Sequence, residues 1–320
     1  MPPAEVTDCS AADFSAGSID EGAYIARTGA GEVLLRPKVA GEFTGDTLPA
    51  GWTVTPWKEG GSATLGGGML ILDGARVGCD PLLPSPRSLE LSAVFAARPD
   101  QHAGFGTNFD DVPWVMFSTK WGRRLYGRTH LLNVEDKKLP GQWFDGPHRF
   151  RIDWNVLDIV FSIDGERIAY LLVPVPGYMR ALAGNQRLGT EPLQIEWMRL
   201  SPYAPAGCFT SRVLDPGTVV DWQDLTWEAD VPEVTWLDMQ VRTGDTAEPG
   251  STWSPWTPVA WSGGRVAATA RFLQYRADMA TTDPAWTPVL HRVRVGYSAA
   301  GAAAGDSSRS SGSGSALGCQ

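Results

Sequence analysis

Along the chain, apolar residues recur in short runs or at every second position, with Gly or Pro at the borders. GEVLLRP, GSATLGGGMLILDG, RSLELSAVFAARP, PWVMFST and RFRIDW all follow this pattern. Period-two spacing is what a strand with one buried face requires. DIVFSIDGERIAYLL reads as a hairpin, because Asp164-Gly165 separates two apolar runs and that dipeptide suits a two-residue turn. Pro, Ala and Gly interrupt the pattern at SPYAPAGCF, residues 201 to 209. Strand signals then resume in VVDWQDLTWEA, TWLDMQVRTG, RFLQYRADMA and VLHRVRVGYS. No dozen-residue segment shows clean helical periodicity, and the best helical stretch, Tyr178 to Ala183, amounts to one or two turns. The pattern predicts an all-β chain.

A length of 320 residues allows two domains, each with its own core. Residues 1–28 are low in strand signal and are expected to be a partly loose N-terminal segment. Residues 29–204 form the first β domain and 207–298 a second, smaller β-sandwich. The stretch 299–320 is an Ala/Gly/Ser tail with too little apolar surface to fold. Trp154, Trp197, Trp227 and Trp236 are expected in the cores, because a large aromatic in a strand supplies packing area.

Composition narrows the partners. A formal net charge of -9 argues against a nucleic-acid surface, which needs clustered Lys and Arg. Gly (36) and Pro (24) are frequent, which suits short strands and tight turns better than helices. No stretch approaches the roughly 20 apolar residues that span a bilayer; Ile168 to Val175 is among the most apolar and is too short, so no membrane insertion is expected. The N-terminus shows neither a basic n-region nor an apolar core, so no secretion signal is visible. Cysteines at 9, 79, 208 and 319 include no close pair, which argues against a zinc cluster. Three pairings stay open, beside the plain alternative of two buried thiols and two exposed ones near the ends.

EFTGDTLPAGWTV followed by GGSATLGGGMLILDG resembles the opening strands of concanavalin A-like lectin and glucanase domains. HRFRIDWNVLDIVFSIDGERIA resembles the family 16 glycoside hydrolase pattern in which a W-H-x-Y-x-I-x-W strand precedes a V-D-G hairpin, and QIEWMRLSPY is similar to that family's closing strand. The likeness covers about residues 40 to 203. It implies a jelly roll of two curved antiparallel sheets with a concave, sugar-holding face. The segments FTSRVLDPGTVVDWQDLTW, WSPWTPV and RFLQYRADMATTDPAWTPVLHRVRVGYS resemble a module joined to such domains in bacterial surface proteins. That likeness implies architecture, and an extracellular or cell-surface location.

Family 16 enzymes carry E-x-D-x-x-E on one concave strand, shortly before a Y-G-T-x-H-like strand, and retaining hydrolysis needs two carboxyl groups about 5 to 5.5 Å apart. The second strand matches LYGRTH, Leu125 to His130. Counting back by the family spacing puts Asp111 at the first Glu, Pro113 at the middle Asp and Met116 at the acid/base. Neither Pro nor Met donates a proton, so the hydrolytic mechanism is expected to be absent. The resemblance also places Glu196 near where some relatives bind a structural calcium; no other cofactor is expected. Asn108 to Asp111 (NFDD) lacks the D-x-D-x-D-G loop of a calcium site and reads as a solvated turn. The four histidines are dispersed, and there is no G-x-S-x-G, P-loop or G-x-G-x-x-G.

The group that remains is Trp114, Trp121, Arg123, Arg124, Tyr126, Arg128 and His130. Shared parity puts Arg124, Tyr126, Arg128 and His130 on one face of a strand. On a concave face, Tyr126 would stack on a sugar ring, while the arginines and His130 would donate to hydroxyls, a uronate or a sulfate. Together with Trp114 and Asp111 these are the candidate ligand residues. The plainer alternative is that Tyr126 packs into a rim and the arginines form a solvated face. Three functions follow. The first is a carbohydrate-binding or adhesive surface protein whose partner is a polysaccharide or glycan. The second is a polysaccharide-active enzyme, either a diverged hydrolase or a lyase using Tyr126, His130 and an arginine. The third is a self-associating structural subunit of a filament or coat.

Overall fold

The computed structural model describes residues 4–301 and consists almost entirely of antiparallel strands. The chain divides into two compact units, residues 37–202 and a second made of residues 1–36 with 203–320.

Unit 37–202 is a sandwich of two eight-stranded sheets. In order across the first sheet, the strands are Val134–Lys138, Arg124–His130, Trp114–Lys120, Gln101–Gly106, Tyr178–Asn185, Ala75–Cys79 and Trp52–Pro56, with Leu83–Pro84 pairing to Tyr178–Asn185. The second runs Glu166–Leu171, Ile159–Ile163, His148–Trp154, Arg87–Val94, Leu193–Tyr203, Met69–Asp73 and Ser62–Gly66, with Pro37–Glu42 pairing to Leu193–Tyr203. Alternate side chains from both sheets meet in one core that includes Phe105, Phe117, Phe150, Trp154 and Phe161. The hairpin at Asp164-Gly165 forms, with φ of 51° and 83° at the two turn residues.

Tyr178 to Ala183 is not helical. It opens the strand Tyr178–Asn185, in which Met179, Ala181 and Ala183 point into the core and both neighbours supply ladder partners. Its alanines favour a helix only where packing does not decide, and a central strand position overrides that preference.

The other unit pairs a six-stranded sheet with a five-stranded one around Phe209, Trp222, Leu225, Tyr275 and Val295. Two expectations about the N-terminal region are corrected: residues 1–28, read as partly loose, and residues 29–36, placed in the first domain, both belong to this unit. Ala4–Asp8 pairs with Val289–Ala299, Ala23–Ala26 pairs with Glu32–Leu35, and Phe14, Val33, Leu34 and Leu35 are fully buried in its core. The one-turn helix Ala11–Ser15 carries a capping box: Ser10 Oγ accepts from Asp13 N, and Asp13 Oδ2 accepts from Ser10 N, each at 3.1 Å. Asp8 anchors the segment in the core, accepting from Tyr275 Oη at 2.8 Å and Arg212 Nη2 at 2.6 Å.

Two further expectations are corrected, and the open state of the cysteines is resolved in part. Trp236 is 47% exposed rather than core. Trp197 is buried, but on the outer face of the second sheet, with the Arg199 guanidinium 4.2 Å from its ring centroid. Cys9 is disulfide-bonded, one of the outcomes that the sequence left open, whereas Cys79 and Cys208 are free thiols whose pKa burial pushes up to about 11. The tail from 302 onward, with Cys319, lies outside the described residues.

Candidate functional site

The strand Arg124–His130 alternates buried Leu125, Gly127 and Thr129 with Arg124, Tyr126, Arg128 and His130, so these four share the face turned away from the core. Register with Trp114–Lys120 sets Trp114 opposite His130, Met116 opposite Arg128, Ser118 opposite Tyr126 and Lys120 opposite Arg124. The rows continue across the sheet: Met116 faces Gly104, which faces Leu182, and Ser118 faces His102, which faces Gly184. This open face therefore carries Arg76, His102, Trp114, Met116, Ser118, Tyr126, Arg128, His130 and Leu182.

Its floor is aromatic. Trp57 lies against the strand at Gly184, where an added Cβ would sit 2.5 Å from Trp57 Cζ3, so only glycine admits the ring. Trp57 stacks on Phe109 (6.3 Å, 25°) and donates from Nε1 to Asp110 Oδ1 at 2.9 Å, with the Arg76 guanidinium 5.2 Å from its centroid. Phe109, Trp114, Met116 and Leu182 form a small apolar cluster on this face, with Trp57 packed against it. Trp57, Phe109 and His102 were not among the candidates from sequence. The signal for Trp57 is faint, a tryptophan just beyond a strand in a Gly-rich loop; that for Phe109 is its place in NFDD, read only for its acids.

The candidates differ in availability. Trp114 is 6% exposed, packed edge-on to His130 with the Arg128 guanidinium 5.4 Å from its centroid; it is a wall rather than a platform. Tyr126 is half-buried, with Lys120 Nζ 4.8 Å from its ring centroid. Arg128 donates to Asp136 Oδ1 at 2.6 Å and to Ser118 Oγ at 3.3 Å, and Lys120 also pairs with Asp136. Partial burial works to raise Asp136, but hydrogen bonds from Lys120 and Arg128 hold it below the usual carboxylate range. Burial, helped by the charge of Arg128, pushes His102 down to about 4, so its ring is neutral at pH 7. Ser118 Oγ lies 2.9 Å from His102 Nδ1 and can donate to it while accepting from Arg128. Arg124 is exposed at the end of its strand.

Asp111 is not on this floor. It lies in the loop before Trp114–Lys120, where Asn108 Nδ2 donates to its carboxylate at 2.7 Å and Asn108 Oδ1 accepts from its backbone N at 2.8 Å. Pro113 precedes the strand after a cis peptide bond, and Met116 is 3% exposed within the apolar cluster. The positions of Trp114–Lys120 that face outward are Trp114, Met116, Ser118 and Lys120, with no carboxylate among them. Glu196 sits elsewhere, on the second sheet. It is the extra residue of a β-bulge opposite Ser92 and Ala93, and its carboxylate accepts from Ser92 Oγ at 2.7 Å. Among the described residues no group of three or more His, Cys, Asp or Glu is arranged to hold a metal ion, and no helix is long and apolar enough to cross a membrane.

The fold is an all-β jelly-roll sandwich. No protein-family model and no curated protein matches the chain. Among solved structures it is similar to an endo-β-1,3-glucanase from Pyrococcus furiosus, at 14% identity and TM-score 0.41 over 57% of this chain and 98% of that one. A prokaryotic β-1,3-1,4-glucanase (lichenase) derived from a mouse hindgut metagenome matches at 15% identity and TM-score 0.39, over 51% of this chain and 97% of its own. A Bacillus licheniformis β-glucanase matches at 14% identity and TM-score 0.38, over 51% and 96%.

Proposed function

We propose that the protein binds carbohydrate on the open face of its first sheet and does not hydrolyse it. The observation that carries this reading is the make-up of that face: a tryptophan floor, a half-buried tyrosine and fixed arginines, around a strand without an outward carboxylate. Aromatic rings take the C–H face of a sugar, and guanidinium groups locked by Asp110 and Asp136 present donors at set positions, which lowers the ordering cost of binding. Retaining hydrolysis requires two carboxyl groups about 5 to 5.5 Å apart, and the outward positions of Trp114–Lys120 supply none. A lyase would need a base able to take a carbon-bound proton. His102 at about 4 is a weak one, held by Ser118. The disulfide at Cys9 supports a place outside the reducing cytosol, at a cell surface or beyond it.

The test pairs a glycan-array screen of the full chain with a reducing-end assay on the glycans retained. Saturable binding without release of reducing ends is expected. Release abolished by Asp111→Asn would restore the hydrolase reading.

A further inference from the structure

Four chain segments meet beyond one end of the first sheet. Trp114–Lys120 and Tyr178–Asn185 finish there, Gln101–Gly106 begins there, and Trp52–Pro56 runs out toward Lys58. Backbone hydrogen bonds tie these ends together: Asp100 N to Thr119 O at 3.1 Å, Gln186 N to Asp100 O at 2.9 Å, Lys58 N to Gly74 O at 3.1 Å and Gly74 N to Arg187 O at 2.9 Å. Beside them lies a shallow, open pocket of about 510 Å³ lined by Lys58, Asp100, Gln186, Arg187, Leu188 and Thr190.

Trp121 is not among these lining residues but adjoins the pocket through Arg187. It sits in the turn after Lys120, where Gly122 and Arg123 have φ of 83° and 54°, and it is 71% exposed. Its ring is nevertheless held, because the Arg187 guanidinium lies 4.9 Å from the centroid and is itself fixed by Asp100, with Nη2 2.8 Å from Oδ2. A tryptophan steadied by a cation yet largely exposed presents a flat apolar surface to solvent, the geometry on which a sugar ring stacks. Two polar atoms of the lining, Arg187 Nε and Thr190 Oγ1, are buried and have no hydrogen-bond partner in the structure. Both atoms are closed to solvent, so the groups that a ligand in this pocket can reach are the Lys58 ammonium and the guanidinium end of Arg187. Lys58 is exposed and forms none of the described ion pairs. With Arg187 and Asp100 it makes two cations against one carboxylate, leaving one positive charge.

We propose that this pocket is a second sugar site that takes a uronate-bearing ring, stacked on Trp121, with its carboxylate toward Lys58 and Arg187. None of its lining residues belongs to the open face, so it stands apart from the reading of that face.

Calorimetry of the full chain with an oligogalacturonate, and with a laminari-oligosaccharide as neutral control, tests it. Wild type should bind the oligogalacturonate saturably. Trp121→Ala should weaken that binding about tenfold, while Trp121→Phe retains most of it. Lys58→Gln should weaken it about threefold at low salt and have little effect at high salt. Thermal unfolding of Trp121→Ala should match wild type, because the ring is mostly exposed. No saturable binding of the oligogalacturonate by wild type, or unchanged binding by Trp121→Ala, overturns the proposal. Tyr126→Ala run in parallel separates the two sites. Loss in Tyr126→Ala alone assigns the binding to the open face and removes this site. Loss in Trp121→Ala alone keeps this site and leaves the open face to its own glycan-array test, and loss in both supports both.

Discussion

The two sheets of unit 37–202 both carry charged rows on their outer faces, yet the rows do different things. On the second sheet, Glu90 is 6% exposed, Arg151 5% and Arg199 2%. Glu90 takes Arg149 at 3.2 Å and Arg151 at 3.3 Å, and Arg151 also grips Asp153 at 2.5 Å. On the first sheet the ion pairs lie toward the edges, Arg128 with Asp136 and Arg76 with Asp110, where the carboxylates are 27% and 51% exposed. Between them the sheet shows rings: Trp57, Phe109, His102 and Tyr126. One strand alternation places charges outward on both sheets. Burial and pairing decide whether they are structural or available to a ligand.

The largest expected effect is at the buried row. Glu90→Ala leaves Arg151 buried with one carboxylate fewer and should cost about 3 kcal/mol in denaturant unfolding. Burial alone would raise Glu90, but Arg149, Arg151 and Arg199 lower it below its ordinary value. Its contribution is therefore present above the unfolded carboxylate pKa and is lost as pH falls through the lower folded value. A cost below about 1 kcal/mol at pH 7 would mean that this row is no more structural than the open one.

Next comes Gly184→Ala. The new Cβ collides with Trp57, so the ring must leave the floor, costing about 2 kcal/mol by overpacking and weakening glycan binding. Chemical denaturation and calorimetry on the same sample separate the two losses. Tyr126→Ala should reverse the balance. Binding falls by about 1 to 2 kcal/mol while unfolding changes little, because the ring is only half-buried. A fall in stability matching the fall in binding would make Tyr126 a packing residue.

The smallest effect belongs to Asp136→Asn, which should cost about 0.5 kcal/mol, since the pair is partly screened by solvent. Asp136 is also held low, so its contribution too is lost on acidification, and 0.5 M salt should weaken it more than that of Glu90. Equal salt sensitivity in the two variants would erase the contrast between the sheets.

The sandwich was legible because alternation is a local property: LYGRTH and RFRIDW show their buried faces without reference to any partner. The shared face of Arg124, Tyr126, Arg128 and His130 is written in the same period. Three features were not legible. The N-terminal strands are short, and Phe14 finds its core only through Phe209; the strand with Val33 was visible, but its domain was not, because its partner strand Val289–Ala299 lies more than 150 residues away. The capping box at Ser10 and Asp13 was the available sign of order there. Trp57 and Phe109 lie in loops outside any period, and they become a floor only because Gly106 and Gly184 carry no side chain. Asp111 was misplaced by counting along a family spacing across Pro113, which stands before the strand rather than on it.

The central claim, binding without hydrolysis on the open face, is tested most directly by titrating the full chain with the best glycan from an array while following reducing ends in the same cell. The account predicts a saturable heat of binding, about tenfold weaker in Tyr126→Ala, with no reducing ends above the protein-free control. New reducing ends in proportion to protein, or a Tyr126→Ala isotherm that overlays wild type, would contradict it.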